Sequence, residues 1–451
     1  MAKPTDIRVR DIHHDTETIE YRSPMKFGGR VVTAVTLLNT KVTVETREGK
    51  VGSGFGSMTM GNVWGWPSSV VSSDDTLKAL VLLGERITDE LATISEADHP
   101  LVLEERLAER FPALAAAVQQ ELNLPEAIPQ LAILVAASPV RAALHDAYGK
   151  ALGLNSYNTL GKEFIEPDLS HFLTPDFKGE YLDQYTLRTP QAWMPLYHLV
   201  GALDPLDTEE LPEPIGDGLP ETLHDWILAD GLTHLKIKLN GDDLAWDVAR
   251  VAKIDRVASI AQESRGVDQW VYSLDFNEKC ASVEYVLDFL AKLEEAAPAA
   301  MLRVQYIEQP THRDLKAHPE NKMHAAAKIK PVVIDESLID LESLFLAREL
   351  GYSGVALKAC KGHGDALLMG AAAQKLGLFL CVQDLTCPGF SFLHSASLAA
   401  RIPTIAAIEG NGRQFCPVGN QGWEDRYPSM FNITDGTVGT AALDGPGLGF
   451  E

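Results

Sequence analysis

The chain is poor in cysteine, in positive charge and in long apolar runs, and each shortage removes a class of protein. Its five cysteines, Cys280, Cys360, Cys381, Cys387 and Cys416, are odd in number and confined to the second half of 451 residues. That is too sparse for a disulfide scaffold and suits reduced thiols, so a cytoplasmic protein is expected. Cys381 and Cys387 have no CxxC partner or nearby histidine pair, and read as small buried residues, not zinc ligands. Lysine and arginine number 39 against 63 aspartates and glutamates, a formal net charge of −24. A field of that sign repels phosphate backbones and anionic membranes, which leaves small molecules as the expected partners. No stretch reaches the roughly 18 uninterrupted apolar residues of a membrane span, and the best run, Leu131 to Ala137, soon meets Pro139. The first residues, Met1 to Asp6, lack the apolar core of a signal peptide. No GxGxxG or GxxxxGK[ST] follows any strand candidate, which disfavours a doubly wound open sheet.

What is present is ordinary globular composition, 45% hydrophobic and 23% charged, in a chain long enough for one large barrel plus a smaller unit. Between Arg30 and Gly56, the alternation of Val42 and Val44 followed by Glu48-Gly49-Lys50 predicts a half-buried antiparallel hairpin. Helices are expected over Thr76 to Ala92, Leu101 to Leu122 and Leu131 to Leu152, with Gly153 closing the last. Residues 1–165 therefore read as an α+β capping domain, 166–190 as a connector or insertion, 191–420 as a (β/α) barrel, and 421–451 as a segment packing back on the cap.

From Met194 onward strand and helix signals alternate. The strand candidates are Met194–Val200, Thr233–Leu239, Trp270–Phe276, Leu302–Glu308, Pro331–Asp335, Gly354–Lys358, Phe379–Gln383 and Thr404–Glu409. Between them lie amphipathic runs such as Val283, Val286, Leu287 and Leu290, spaced as one helix face. Eight such signals predict an α/β fold, a modified (β/α) TIM-type barrel.

The strand tips carry the chemistry. Lys236 and Lys238, Asp275, Glu308, Asp335, Lys358, Gln383-Asp384 and Glu409 follow one another at intervals of 23 to 37 residues, about one repeat each. They would converge on one mouth of the barrel. Three carboxylates from adjacent strands, Asp275, Glu308 and Asp335, repel one another unless a cation joins them, and an all-oxygen set favours a hard divalent ion, Mg²⁺. Lys236 and Lys238 are two apart on one strand and share a face, so each is expected to depress the other's pKa and leave one able to act as a base.

The stretch from KIK (236–238) through LDFNEK (274–279), YIEQP (306–310), VVIDES (332–337) and LKACKGHG (357–364) resembles the enolase superfamily in its mandelate racemase/muconate lactonizing branch. SPMKFGG (23–29) with GSGFGS (52–57) is similar to the start of that family's cap, and SPVRAALHDAYGKALG (138–153) to its last capping helix. The resemblance implies one Mg²⁺ on Asp275, Glu308 and Asp335, a small-molecule carboxylate substrate, and removal of its α-proton to a metal-stabilised enediolate. It implies Lys238 as base on one face, Lys358 as acid or base on the other, and Lys236 as the neighbour that tunes Lys238. Asn277 and Gln309 become supporting or substrate contacts, while Glu336 is turned off the ligand face by strand alternation.

Bases on both faces imply a racemase or epimerase. The alternatives are a cycloisomerase or β-elimination lyase of the muconate-cycloisomerase or succinylbenzoate-synthase type, or a non-catalytic scaffold barrel. A sugar-acid dehydratase is disfavoured, since Lys358 and Gln383 stand where that branch carries Asp and His. Dipeptide epimerases of the branch carry Asp-x-Asp at the eighth strand to hold an ammonium; this chain has Glu409-Gly410-Asn411. Glu409 either bonds the enediolate oxygen or is a solvated strand end, and Asp384 is equally open. Specificity is expected from the cap, over Arg22 to Phe27 and Ser53 to Trp66. There Gly-rich hinges beside Phe27, Phe55, Trp64 and Trp66 suit a lid, or else a hairpin turn with aromatic packing. Arg22 or Lys26 is a candidate partner for a second substrate carboxylate. By family analogy a homo-oligomer is expected.

Overall fold

The computed structural model describes residues 2–27, 30–211 and 213–451, and of Phe27 its backbone alone. Three strands, β1 (Ile7–Phe27), β2 (Arg30–Thr46) and β3 (Val51–Thr59), form an antiparallel sheet in that order. Val42 and Val44 are fully buried and Lys41 is exposed, the alternation of a sheet with one wet face. The β2–β3 turn closes through Thr46 N–H to the Lys50 carbonyl (2.8 Å), with Gly49 at φ +84°.

The glycines of β3 are packing surfaces. A Cβ on Gly52, Gly54 or Gly56 would come within 2.3 Å of Ala151 N, 2.1 Å of Ala147 N or 1.9 Å of Pro139 O. The strand thus lies directly on the backbone of the helix Gln130–Leu152, whose Pro139, Ala143, Ala147 and Ala151 recur every four residues on one face. The expected hinge in 53–66 is corrected accordingly: these glycines fix the strand and do not loosen it. Pro139 deprives the Val135 carbonyl of its helical donor, and the Ser138 hydroxyl supplies one at 2.8 Å. The single helix expected over 101–122 is two, Pro100–Ala108 and Phe111–Glu121. Pro112 has no N–H for the preceding turn, so the first helix ends and a second begins with proline in its first turn.

The barrel strands are β4 (Trp193–Val200), β5 (His234–Lys238), β6 (Val271–Asp275), β7 (Val304–Glu308), β8 (Val332–Ile334), β9 (Gly354–Lys358), β10 (Phe379–Gln383) and β11 (Ile405–Glu409). Each pairs in parallel with the next, and β11 pairs with β4, closing eight strands into a ring. A short β12 (Thr437–Gly439) adds antiparallel to the start of β4. Tyr197, Tyr306, Val333, Ala356, Cys381 and Ala407 pack together within the ring. The helix Val283–Ala296 buries Val286 and Leu290 on the expected face. The β7–β8 connection carries only the one-turn helix His324–Ala327. All five cysteines are unpaired and buried. Among the described residues no helix is long and apolar enough to cross a membrane.

Cap and barrel meet across a buried polar cluster. His99 and Glu104 belong to the first turns of one cap helix, Arg141 and His145 to Gln130–Leu152, and His363, Asp365 and His394 to two barrel helices. Arg141 bridges Glu104 (3.0 Å) and Asp365 (2.6 Å), while His363 Nδ1 and His394 Nε2 lie 3.0 Å apart. Residues 443–450 run over the same seam. Leu448 N–H donates to Asp146 in the cap helix (2.9 Å), and the Leu448 carbonyl accepts from Ser397 in the barrel helix Gly389–Arg401 (2.5 Å).

Candidate active site

Strand register sets the site. Lys238 on β5 stands opposite Asp275 on β6, and Asp275 opposite Glu308 on β7, so three charged side chains occupy one row of the barrel. Asp335 follows β8 directly, and Lys358 ends β9. All are buried. Lys236 Nζ reaches Glu308 at 2.8 Å, Glu409 at 2.7 Å and Asp275 at 3.2 Å. Lys238 donates to Asp275, and Lys358 pairs with Asp335 at 2.9 Å. The structure therefore brings together the six residues on which the sequence reading centres.

The electrostatics follow from burial among like and unlike charges. Burial, then repulsion by Asp275, drives the Glu308 carboxyl well above the usual carboxylate range, with Lys236 only partly opposing. Burial acts the same way on Asp275 and Asp335, but Lys238 and Lys236 for the first, and Lys358 and Lys361 for the second, hold both below it. Burial alone would discharge Lys236; Glu308, Glu409 and Asp275 instead raise its pKa, and Asp335 does the same for Lys358. The depression expected at Lys236 from Lys238 is thus outweighed by the surrounding carboxylates.

Among the described residues no three His, Cys, Asp or Glu side chains stand in a ready-made metal cage. Ammonium groups occupy the positions between the carboxylates. The donor set nonetheless fits a hard cation. Three buried carboxylates end adjacent strands, and the strain of their proximity shows in Glu308, whose charge Asp275 and Asp335 both oppose.

Above the charges lies a cleft of about 740 Å³ measured out to open solvent, floored by Lys236, Lys238, Asp335, Lys358 and Glu409 and roofed by the cap. Of the cap's candidate aromatics, Trp64 reaches it. Lys358 Nζ sits 4.6 Å from the centre of the Trp64 ring, and the indole N–H donates to Glu336 at 3.0 Å. Phe55 does not line the cleft: four residues before Thr59, which does, its ring packs edge-on to Phe390 at 4.8 Å, and this corrects its expected substrate contact. The Phe27 side chain lies outside the described residues. Arg22 is committed to Asp217 (2.9 Å) and the Pro220 carbonyl (3.1 Å), not to the cleft.

The remaining candidates support the site in different ways. Asn277, at φ +43°, donates its backbone N–H to Asp275 (2.8 Å) and lines the cleft. Gln309 lies behind it, where its Oε1 accepts the N–H of Asp335 (3.0 Å) and of Ser337 (3.2 Å) and so fixes the third carboxylate's backbone. Asp384 accepts the N–H of Cys387 (3.0 Å) and Asn411 (3.2 Å), and burial with repulsion by Glu409 pushes its pKa up to about 7. Glu409 is fully engaged, by Lys236 and by Asn411 Nδ2 (2.6 Å), and is not a solvated strand end.

Two further residues bear on the site, Glu336, to which the sequence gives no ligand role, and Lys361, which it passes over. Glu336 is buried beside Asn277 and Trp64, its pKa pushed up to about 7 by burial and by Asp335. β8 ends at Ile334, so Asp335 and Glu336 lie in a turn, from which Glu336 bonds Trp64 and Asn277. Lys361 donates to the Asp335 carbonyl and carboxylate (3.2 Å for the latter); its nearness to Lys358 in the sequence was the available signal.

Residues 219–451 match the family model described as enolase C-terminal domain-like. The chain belongs to that family, within the part of the enolase superfamily that holds mandelate racemase and muconate lactonizing enzyme. The L-Ala-D/L-Glu epimerase of Bacillus subtilis (strain 168) is 27% identical over 248 residues, which is 53% of this chain and 63% of the epimerase, just under two thirds of its length. The substrate-liganded structure of a Bacillus subtilis L-Ala-D/L-Glu epimerase superposes with a TM-score of 0.64 over 98% of both chains at 19% identity. A dipeptide epimerase from Enterococcus faecalis V583, complexed with Mg and L-Leu-L-Tyr, gives 0.62 over 98% of this chain and 99% of that one at 15% identity. The Pseudomonas fluorescens muconate lactonizing enzyme complexed with muconolactone gives 0.58 over 98% and 96% at 17% identity. At these identities the superpositions establish the shared barrel and cap.

Proposed function

We propose that the protein is an isomerase that abstracts the α-proton of a carboxylate substrate, and specifically a racemase or epimerase working through Lys238 and Lys358. What carries this reading is that both ammonium groups line one cleft from β5 and β9, four places apart in a closed ring of eight and therefore on opposite sides. Relatives that are epimerases support it.

In the neutral form, the Nζ of one lysine takes the α-proton. The C–H bonding pair then passes into the carboxylate as an enediolate, and the ammonium of the other lysine returns a proton to the opposite face. Lys236, bridging Glu308 and Glu409, holds the floor of the cleft in place. Trp64 covers Lys358 and keeps bulk water from it. Asp275, Glu308 and Asp335 would hold a divalent cation, which relatives complexed with Mg support. When bound, that ion supplies positive charge where the substrate carboxylate gains its second negative charge.

The test is α-proton exchange in D₂O with Mg²⁺ across a panel of carboxylic acids, followed by NMR and polarimetry. Exchange with loss of optical activity is expected. Exchange accompanied by a new alkene or ring would assign a lyase or cycloisomerase instead. Undiminished turnover in both Lys238→Ala and Lys358→Ala would refute the two-base assignment.

A further inference from the structure

Two neighbouring tryptophans of the cap each give their indole N–H to a glutamate, but the glutamates belong to different bodies. Trp66 donates to Glu126 of the cap (2.6 Å), whereas Trp64 donates to Glu336 of the barrel (3.0 Å). Trp64 is also held from the barrel by its backbone. Its carbonyl accepts from Arg313 Nη1 (2.9 Å), a guanidinium that Glu278 steadies through Nε (2.8 Å). The backbone bond fixes where Trp64 stands. It does not fix how the ring turns, because both side-chain torsions remain free to choose. The indole has one polar atom, its N–H donor, and that donor is bound to Glu336.

Ring orientation matters because of what the ring covers. Lys358 Nζ lies 4.6 Å from the ring centre and pairs with Asp335 at 2.9 Å. A lysine ends in a flexible four-carbon stem with three rotatable donors, so one ion pair sets the distance to Asp335 and not the direction of the remaining N–H bonds. An aromatic face over the ammonium narrows that choice and excludes water. Trp64 and Glu336 are each only 2% exposed. If their bond were lost, the indole N–H would be buried without a partner, and the ring would turn toward another acceptor. Glu336 has few other commitments: its Oε1 is 3.5 Å from Asn277 Nδ2, and its Oε2 has no hydrogen-bond partner.

Resting on the two-lysine reading above, we propose that Glu336 is a positioning residue: by holding the Trp64 indole it aims the ammonium of Lys358 across the cleft. Glu336 is not among the residues that line the cleft, so it acts through Trp64 and not on the substrate. The proton-transfer group of the β9 face thus depends on a residue of the cap. Lys238 stands across the ring on β5, donating to Asp275.

The tether and its consequence are read separately. Indole ¹H–¹⁵N spectra of the Mg²⁺-loaded protein contain the signals of seven tryptophans, and Trp64→Phe assigns the one from Trp64. That N–H should exchange with D₂O at least ~10-fold faster in Glu336→Ala than in the parent protein. Glu336→Gln keeps an acceptor oxygen and should restore most of the protection. α-Proton exchange is then followed for each enantiomer of the acid that the panel above shows to exchange fastest. Glu336→Ala should slow the enantiomer whose proton faces β9 by ~10-fold or more, and the other by less than ~3-fold. Trp64→Phe deletes the same bond from the cap side and should show the same bias, with no further loss when Glu336→Ala is added to it. Equal slowing of both enantiomers, the same bias in Glu126→Ala, additive losses in the double variant, or an undisturbed indole N–H in Glu336→Ala would overturn the proposal. A released indole in a protein whose parent exchanges no α-proton would support the tether and defeat the two-lysine reading instead.

Discussion

The buried polar cluster at the barrel mouth and the one where the cap meets the barrel handle charge in opposite ways. At the mouth, Asp275 and Asp335 stay ionised by facing Lys236 and Lys358 beneath an open cleft. At the seam, burial drives His99 and His394 down to about 3 and His363 well below its usual value, so these imidazoles are neutral and bond to one another or to backbone. His99 shows the pattern: its Nδ1 accepts the Leu101 N–H (3.2 Å) while Nε2 faces the Thr159 carbonyl (3.1 Å). Arg141 keeps its charge there by bridging Glu104 and Asp365. A buried cluster therefore points to chemistry when its charges line a space a ligand can enter, and to architecture when it is self-contained.

The contrast can be broken by substitution, starting with the largest effect. Lys358→Ala should lower α-proton exchange of the enantiomer whose proton faces β9 by about 10²- to 10⁴-fold, the range of a positioned acid or base, whereas His394→Asn, outside the cleft, should change it far less. Exchange rates of the two folded variants decide the matter. Arg141→Met leaves Glu104 buried with no cation of full strength, and should cost about 3–5 kcal/mol in urea unfolding. Gly54→Ala forces a methyl onto the Ala147 backbone and should cost about 1–3 kcal/mol by the same measurement, without acting on the lysines directly.

The smallest expected effect is on the pH dependence of stability. His99, His363 and His394 have folded pKa values below their unfolded value of roughly 6.5. Below that pH the unfolded chain binds protons that the folded chain refuses, so their contribution is complete above pH 6.5 and declines as pH falls toward about 3. His394→Leu should flatten the fall in Tm between pH 6.5 and 4 relative to the parent protein; an unchanged slope would show that this imidazole is protonated in the fold.

Much of the barrel was legible because its strands are short, apolar and end in the residues that matter. The tips at Lys238, Asp275, Glu308, Lys358, Gln383 and Glu409 fall where the sequence places them. The cap was less legible. β1 runs for 21 residues, yet one face of much of it is wet and its pattern is largely polar, so no apolar period announces it. The glycines of β3 resemble a hinge until their partner helix is known, and Phe55 and Trp64 cannot be told apart without the turn that follows Thr59. The seam histidines lie far apart in sequence, at 99, 145, 363 and 394, and only the docking of cap on barrel brings them together.

The strip at residues 443–450 has a mechanical consequence. Because Leu448 grips the cap helix through its N–H and the barrel helix through its carbonyl, the two bodies cannot swing apart without breaking one of these bonds. Entry to the cleft must then come from local displacement of loops and not from a clamshell motion of the whole cap. The same brace couples the two halves in unfolding, so cap and barrel should melt in a single calorimetric transition, and cutting the strip should split it into two.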